Sequence, residues 1–305
     1  MKLRTISGAV YMAILIGFFA LKIFVHDFFF DALIYAFALL GTFEMLRAMQ
    51  DKMTKAERLI VYAFAIACVP ACALSEYYFR YGLHVTSICF VAMSVLLLCL
   101  LVVKHEETTP ENLGVAFFTA AYPTLLLVVL VLLNHVSDEV ALISGSFPMA
   151  MHLAAFNSDL LVLFVFIISP MADVVAYLFG RFFRKKFPAK MAPDISPNKT
   201  IIGGIGGLIG GVLGAIALYF VYNGIVQTGF VDMGIWLPVY AAIGLVGAVA
   251  TEFGDLVESC IKRKLGIKDM GKIMPGHGGV LDRIDGTMFA ALAVYLSYAL
   301  IRLVV

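Results

Sequence analysis

The chain has 305 residues, is 62% hydrophobic and carries a formal net charge of +1. Only 14% of its residues are charged, against about 25% in soluble globular domains, which excludes an ordinary water-soluble domain. The near-zero net charge gives no hint of a partner, and no nucleic-acid partner is expected.

Apolar runs long enough to cross a bilayer, which takes about 20 residues, recur along the whole length. Spanning helices are predicted near residues 8–25, 28–46, 59–75, 83–103, 113–134, 158–180, 201–222, 235–253 and 286–304. The runs are continuous rather than alternating, so a β-barrel is excluded. Because they recur throughout, none reads as a cleaved signal peptide. The expected fold class is all-α: a polytopic integral membrane protein of about nine transmembrane helices, embedded in the lipid bilayer. It divides into N-terminal helices (1–112), a middle helix with its connecting loop (113–157) and a C-terminal region with the polar loops (158–305).

In the first span Lys22 reads as a snorkelling lysine. Glu44, near the inner end of the second, reads as a partner for Arg47. Cys68, Cys72, Cys89 and Cys99 lie in apolar runs and Cys260 lies further on, without paired metal-type spacing around a histidine. They read as small apolar packing residues.

Three connections are long: a mixed loop at 135–157, a basic, proline-rich loop at 181–200, and 254–285. With the N-terminus in the cytoplasm and each segment crossing once, every lysine and arginine except Lys22, Arg80 and Arg302 falls on the cytoplasmic side. This is the sorting that the positive-inside rule demands. The expected topology is N-terminus in and C-terminus out, with the two most charged loops facing the cytoplasm.

Residues 201–214 read IIGGIGGLIGGVLG. Gly203, Gly207 and Gly211 repeat every four residues, as do Gly206, Gly210 and Gly214, the small-xxx-small pattern of close helix packing. Just before them, Pro197 breaks helix and Lys199 and Thr200 stand where the next helix would start. That lysine suits an anion site at a helix start or an anchor at the lipid headgroups.

Residues 250–286 read ATEFGDLVESCIKRKLGIKDMGKIMPGHGGVLDRIDG. Glu252, Asp255 and Glu258 recur every three residues, Ser259 follows Asp255 by four, and Asp282 and Asp285 repeat the spacing as the last span begins. Carboxylates at membrane depth are costly and usually functional. Acid-bearing helix ends brought together would suit Mg²⁺, which takes one or two carboxylates and leaves positions for water and phosphate. Lys262, Arg263, Lys264, Lys268 and Lys272 surround the acids. Gly276, Gly278 and Gly279 permit close backbone approach. His277 could donate to a phosphate or cap the turn. The chemistry implied is phosphoryl or nucleotidyl transfer at the inner membrane surface.

The series Ser259-x-x-Lys262-Arg263, Lys268-Asp269, His277-Gly278-Gly279-x-x-Asp282-Arg283-x-Asp285 resembles the signature of the phosphatidate cytidylyltransferases, or CDP-diacylglycerol synthases. Asp173-x-x-Ala176-Tyr177-x-x-Gly180-Arg181 and Ser196-Pro197-x-Lys199-Thr200 look like two further elements of that family, in the expected order. The C-terminal half carries the resemblance. It departs from the usual pattern at Asn198, where a lysine is usual, and at Ile201 and Ile202, where Trp-Glu is usual.

The resemblance implies the reaction CTP + phosphatidate = CDP-diacylglycerol + pyrophosphate, in phospholipid biosynthesis. It also implies Mg²⁺ as cofactor, a homodimer, and a place in the inner (plasma) membrane with the active site facing the cytoplasm. It assigns Asp255 and Asp282 to the metal first, then Asp285 and Asp173. Catalysis would involve Asp255, Asp282, Lys262, Arg263, Lys268, His277 and Arg283. Asp173, Ser196, Lys199, Thr200, Ser259, Gly278 and Gly279 would contact substrate. Two alternatives stand beside it: a CTP-dependent lipid kinase, which would attack the γ-phosphorus, and a membrane transporter.

Overall fold

A computed structural model describes residues 2–136, 156–226 and 233–304. The mixed loop expected at 135–157 lies almost wholly outside them. Among the described residues nine helices are long and apolar enough to cross a membrane. They are α1 (Lys2–Phe24), α2 (Phe28–Ala48), α3 (Lys55–Phe79), α4 (Gly82–Val103) and α5 (Pro110–Asn134), then α6 (Ser158–Phe183), α7 (Ile201–Val226), α8 (Met233–Lys264) and α9 (Leu281–Val304).

Local chemistry sets their limits. Thr54 and Glu57 form a capping box at the start of α3, each satisfying a backbone N–H of the first turn. Thr109 and Asn157 cap α5 and α6 through Asn112 N–H and Leu160 N–H. Within α5, residues 120–125 form a π-helical turn around Pro123, a residue that cannot donate into the α-helical ladder.

Three features depart from the expected spans. α8 continues to Lys264, because the charged stretch after the apolar run is itself helical and carries an i,i+4 pair between Glu258 and Lys262. α9 begins at Leu281, so Asp282 and Asp285 lie in its first turns. The basic loop contains an antiparallel hairpin, β1 (Lys190–Ala192) paired with β2 (Ser196–Thr200). The turn between the two strands and the extended backbone before Pro197 favour it.

The chain forms two compact units. The first holds residues 1–135 and 265–284, the second 136–264 and 285–305. In the first, Phe30, Ile34 and Met45 of α2 and Leu127, Leu130 and Leu133 of α5 are fully buried. Polar groups are also buried there. At the α1–α2 turn, Lys22 is 4% exposed and paired with Asp27 at 2.7 Å, so it does not snorkel as expected. Asp31 accepts from Asn134 at 2.9 Å and meets His135 Nε2 at 2.6 Å, while Arg80 donates to the His135 carbonyl. Cys68 and Cys72 are buried on one side of α3, as packing residues should be.

The second unit is organised by the glycine rows of α7. A Cβ on Gly206 would come within 2.6 Å of Phe179 Cβ, and one on Gly214 within 3.1 Å of Met171, both on α6. A Cβ on Gly211 would approach Ala248 Cβ of α8 to 2.5 Å. The 206/210/214 row thus packs on α6, while the 203/207/211 row meets α6 at Gly203 and α8 at Gly207 and Gly211, by close backbone approach. Gly254 of α8 lies against the Asp285 carbonyl and Gly286 of α9, which brings those two helices together at the same level.

Candidate active site

Helix packing in the second unit gathers polar side chains at one end of apolar helices. A pocket of about 600 Å³ is lined by Asp173, Tyr177, Arg181, Arg184 and Lys185 from α6 and the segment after it. Lys199 and Thr200 of β2, Gly203 and Gly204 of α7, and Glu252 and Asp255 of α8 complete it. Lys199 is the hub. Its ammonium pairs with Glu252 Oε2 at 3.0 Å and with Asp255 Oδ2 at 2.8 Å. Burial alone would push the Lys199 pKa down, but the charges and hydrogen bonds of Asp255 and Glu252 outweigh it and hold the pKa above the ordinary lysine value.

Each contact has a local cause. Gly207 leaves room for Glu252, since a Cβ there would strike the carboxylate. Thr200 Oγ1 accepts from Gly203 N–H at 3.2 Å and starts α7, which sets Lys199 just outside the helix. Ser259 donates to Asp255 Oδ1 at 3.2 Å, one turn along α8. Arg263 Nε donates to the Ile195 carbonyl at 3.3 Å and ties the end of α8 to the hairpin. Lys262 pairs with the buried Glu258. Asp285 Oδ1 accepts from Gly286 N–H at 2.9 Å and lies within electrostatic reach of Asp255 and Lys262. Asp173 lies within reach of Asp285, Asp255, Lys199 and Glu252. Ser196 is half-buried in β2.

In the first unit, residues 268–283 form a second polar pocket of about 470 Å³, lined by Lys268, Asp269, Lys272, His277, Gly278 and Arg283 among others. The Asp282 carboxylate organises this loop: Oδ2 accepts from Met270 N–H and Gly279 N–H, each at 2.8 Å. Gly278 has φ +91°, and a Cβ on it would lie 2.6 Å from Asp282 Oδ2, so glycine is required there on two counts. His277 Nδ1 lies 2.6 Å from Ser7 Oγ, which also donates to the Pro275 carbonyl at 3.1 Å.

The structure thus groups Asp173, Lys199, Thr200, Asp255, Ser259, Lys262, Arg263 and Asp285 in the second unit. Lys268, His277, Gly278, Gly279, Asp282 and Arg283 are grouped in the first.

A family model for the cytidylyltransferase family matches residues 3–301. The chain belongs to the cytidylyltransferase family. Similar relatives include the phosphatidate cytidylyltransferase of Staphylococcus haemolyticus (strain JCSC1435), 43% identical over 143 residues, which are 46% of this chain and 50% of that protein. The protein of the same name from Staphylococcus aureus (strain COL) is 41% identical over 128 residues, 42% of this chain and 45% of that protein. The chain thus matches about half the length of these curated relatives. The family expected from the C-terminal motifs is the one found.

For this cytidylyltransferase-family chain, three residues outside the expected set prove central to the polar architecture. Glu252 was visible as part of the acid row, but its partner Lys199 lies 53 positions earlier. Ser7 stands in an apolar run and gave no signal. Glu44 was expected to pair with Arg47. Instead both its oxygens accept backbone N–H groups of Val280 and Leu281, at 3.0 Å each. The only hint was a carboxylate at membrane depth.

Proposed function

We propose that the chain is an Mg²⁺-dependent phosphatidate cytidylyltransferase of the inner (plasma) membrane, working as a homodimer with its active site toward the cytoplasm. A phosphate oxygen of phosphatidate attacks the α-phosphorus of CTP. A new P–O bond forms, the bond from that phosphorus to the oxygen bridging the β-phosphate breaks, and pyrophosphate leaves with the electron pair. The attacking oxygen is already anionic, so no general base is needed. The reading is carried by one observation: Arg181, Arg184, Lys185 and Lys199 share a pocket with Asp173, Glu252 and Asp255. Cations suited to phosphate and acids suited to a divalent ion stand together at the polar end of a membrane bundle.

The residues fit such an ion. Asp173, Glu252, Asp255 and Asp285 concentrate negative charge around Lys199 and Lys262. Among the described residues no three His, Cys, Asp or Glu side chains form a ready-made ligand set. Mg²⁺ needs only one or two carboxylates, with phosphate and water supplying the rest. Asp255 and Asp285 would hold it, with Asp173 beside them. When bound, Mg²⁺ supplies positive charge to the triphosphate. Asp282 enters this proposal through the motif it stands in. Lys262, Arg263, Lys268 and Arg283 neutralise phosphate charge. Ser196, Lys199 and Thr200 contact nucleotide or lipid phosphate, and His277 with Gly278 and Gly279 shapes the loop around it.

Purified protein given CTP, Mg²⁺ and phosphatidate is expected to yield CDP-diacylglycerol and pyrophosphate in equal amounts. Chelation should stop turnover and added Mg²⁺ restore it. Asp255→Asn and Asp282→Asn should each lower turnover at least about a hundredfold while the protein still inserts. Release of CDP in place of pyrophosphate would favour the lipid kinase, and no nucleotide turnover at all would favour the transporter.

A further inference from the structure

We infer that Glu44 is a positioning residue for the 268–284 loop, a role that rests on the proposed cytidylyltransferase reaction for its catalytic consequence. Glu44 lies one turn before the end of α2 and is 2% exposed. Its two carboxylate oxygens accept from consecutive amides, Val280 N–H to Oε1 and Leu281 N–H to Oε2, both at 3.0 Å. These are the amides where α9 begins, which otherwise lack helical partners.

The surroundings are cut to fit this carboxylate. A Cβ on Gly271 or on Gly279 would collide with it, although these glycines stand at opposite ends of the loop. One turn earlier on α2, Gly41 admits Leu281, whose Cδ2 would lie 3.1 Å from a Cβ there. Glu44 therefore holds the loop from outside, as Asp282 holds it from within through Met270 and Gly279. The loop they hold carries Lys268, His277 and Arg283, which line its pocket. A seat made of charged hydrogen bonds fixes their placement more firmly than neutral ones would.

The test uses the full-length protein in lipid nanodiscs. Glu44→Gln keeps one acceptor and turns an amino group toward a backbone N–H. Amide exchange of residues 268–284 should rise about tenfold or more, while the peptides of α6, α7 and α8 keep the wild-type rate. kcat/KM should fall at least about tenfold. In a Lys268→Ala background the same substitution should cost much less, because both changes act through one loop. Unchanged exchange in 268–284 would overturn the assignment. So would full additivity with Lys268→Ala, which would make Glu44 a general support rather than a positioning residue. Should the wild-type protein make no CDP-lipid while the exchange results hold, the reaction is wrong and the seat stands.

Discussion

Lys199 shows how one side chain can link the hairpin to the acid row of α8. Its ammonium is shared between Glu252, which is buried, and Asp255, which is half-buried. Removing it leaves an uncompensated carboxylate. Lys199→Met should therefore destabilise the protein by about 1–3 kcal/mol, the lower end reflecting the partly open pocket, as read by thermal unfolding in detergent. The pH dependence has a definite sign. The folded-state pKa of Lys199 is raised, so the ion pair contributes fully below the ordinary lysine pKa and fades only as pH rises through the folded value. The cost of Lys199→Met should thus not diminish between pH 6 and pH 8.5, and a cost that shrank across that window would contradict the ion pair.

At the scale of elements, the glycine rows of α7 make contrasting predictions within one helix. Gly211 lies backbone to backbone with α8, and a Cβ there would meet Ala248 and the Gly244 carbonyl. Gly224 has nothing within 4 Å of a Cβ position. Gly211→Ala should cost about 1–3 kcal/mol through forced separation of helices. Gly224→Ala should be neutral or stabilise by about 0.5–1 kcal/mol through the unfolded chain. Thermal midpoints of the two variants decide it.

The helices and their glycine faces were legible because their information is local: run length for the spans, a four-residue period for α7, a three-residue period for Glu252, Asp255 and Glu258. Two kinds of feature were not. The β1–β2 hairpin is too short to show a strand period. The contacts of Lys199 with Glu252, Ser7 with His277, and Glu44 with Val280 and Leu281 join positions 53 to 270 residues apart. No spacing rule reaches across such gaps. Arg47, three residues on, is a nearer partner by sequence for Glu44, whereas the backbone amides of a helix start carry no side-chain signature.

For the whole molecule, the chain contributes to its two units in alternation, with residues 265–284 returning to the first after the second is largely built. The proposed orientation follows from the lysines and arginines of the polar loops. A reporter fused after Val305 should read as non-cytoplasmic and one inserted in 185–190 as cytoplasmic; the reverse pair of readings would invert the topology.

The seat of Glu44 has a consequence for biosynthesis. The amides that receive it are 236 and 237 positions downstream, so at ordinary rates of translation they emerge on the order of ten to fifty seconds after α2. Throughout that interval the nascent protein carries an acidic group in an apolar helix without its eventual donors. The insertion machinery or the headgroup water must shelter it until those amides have been made.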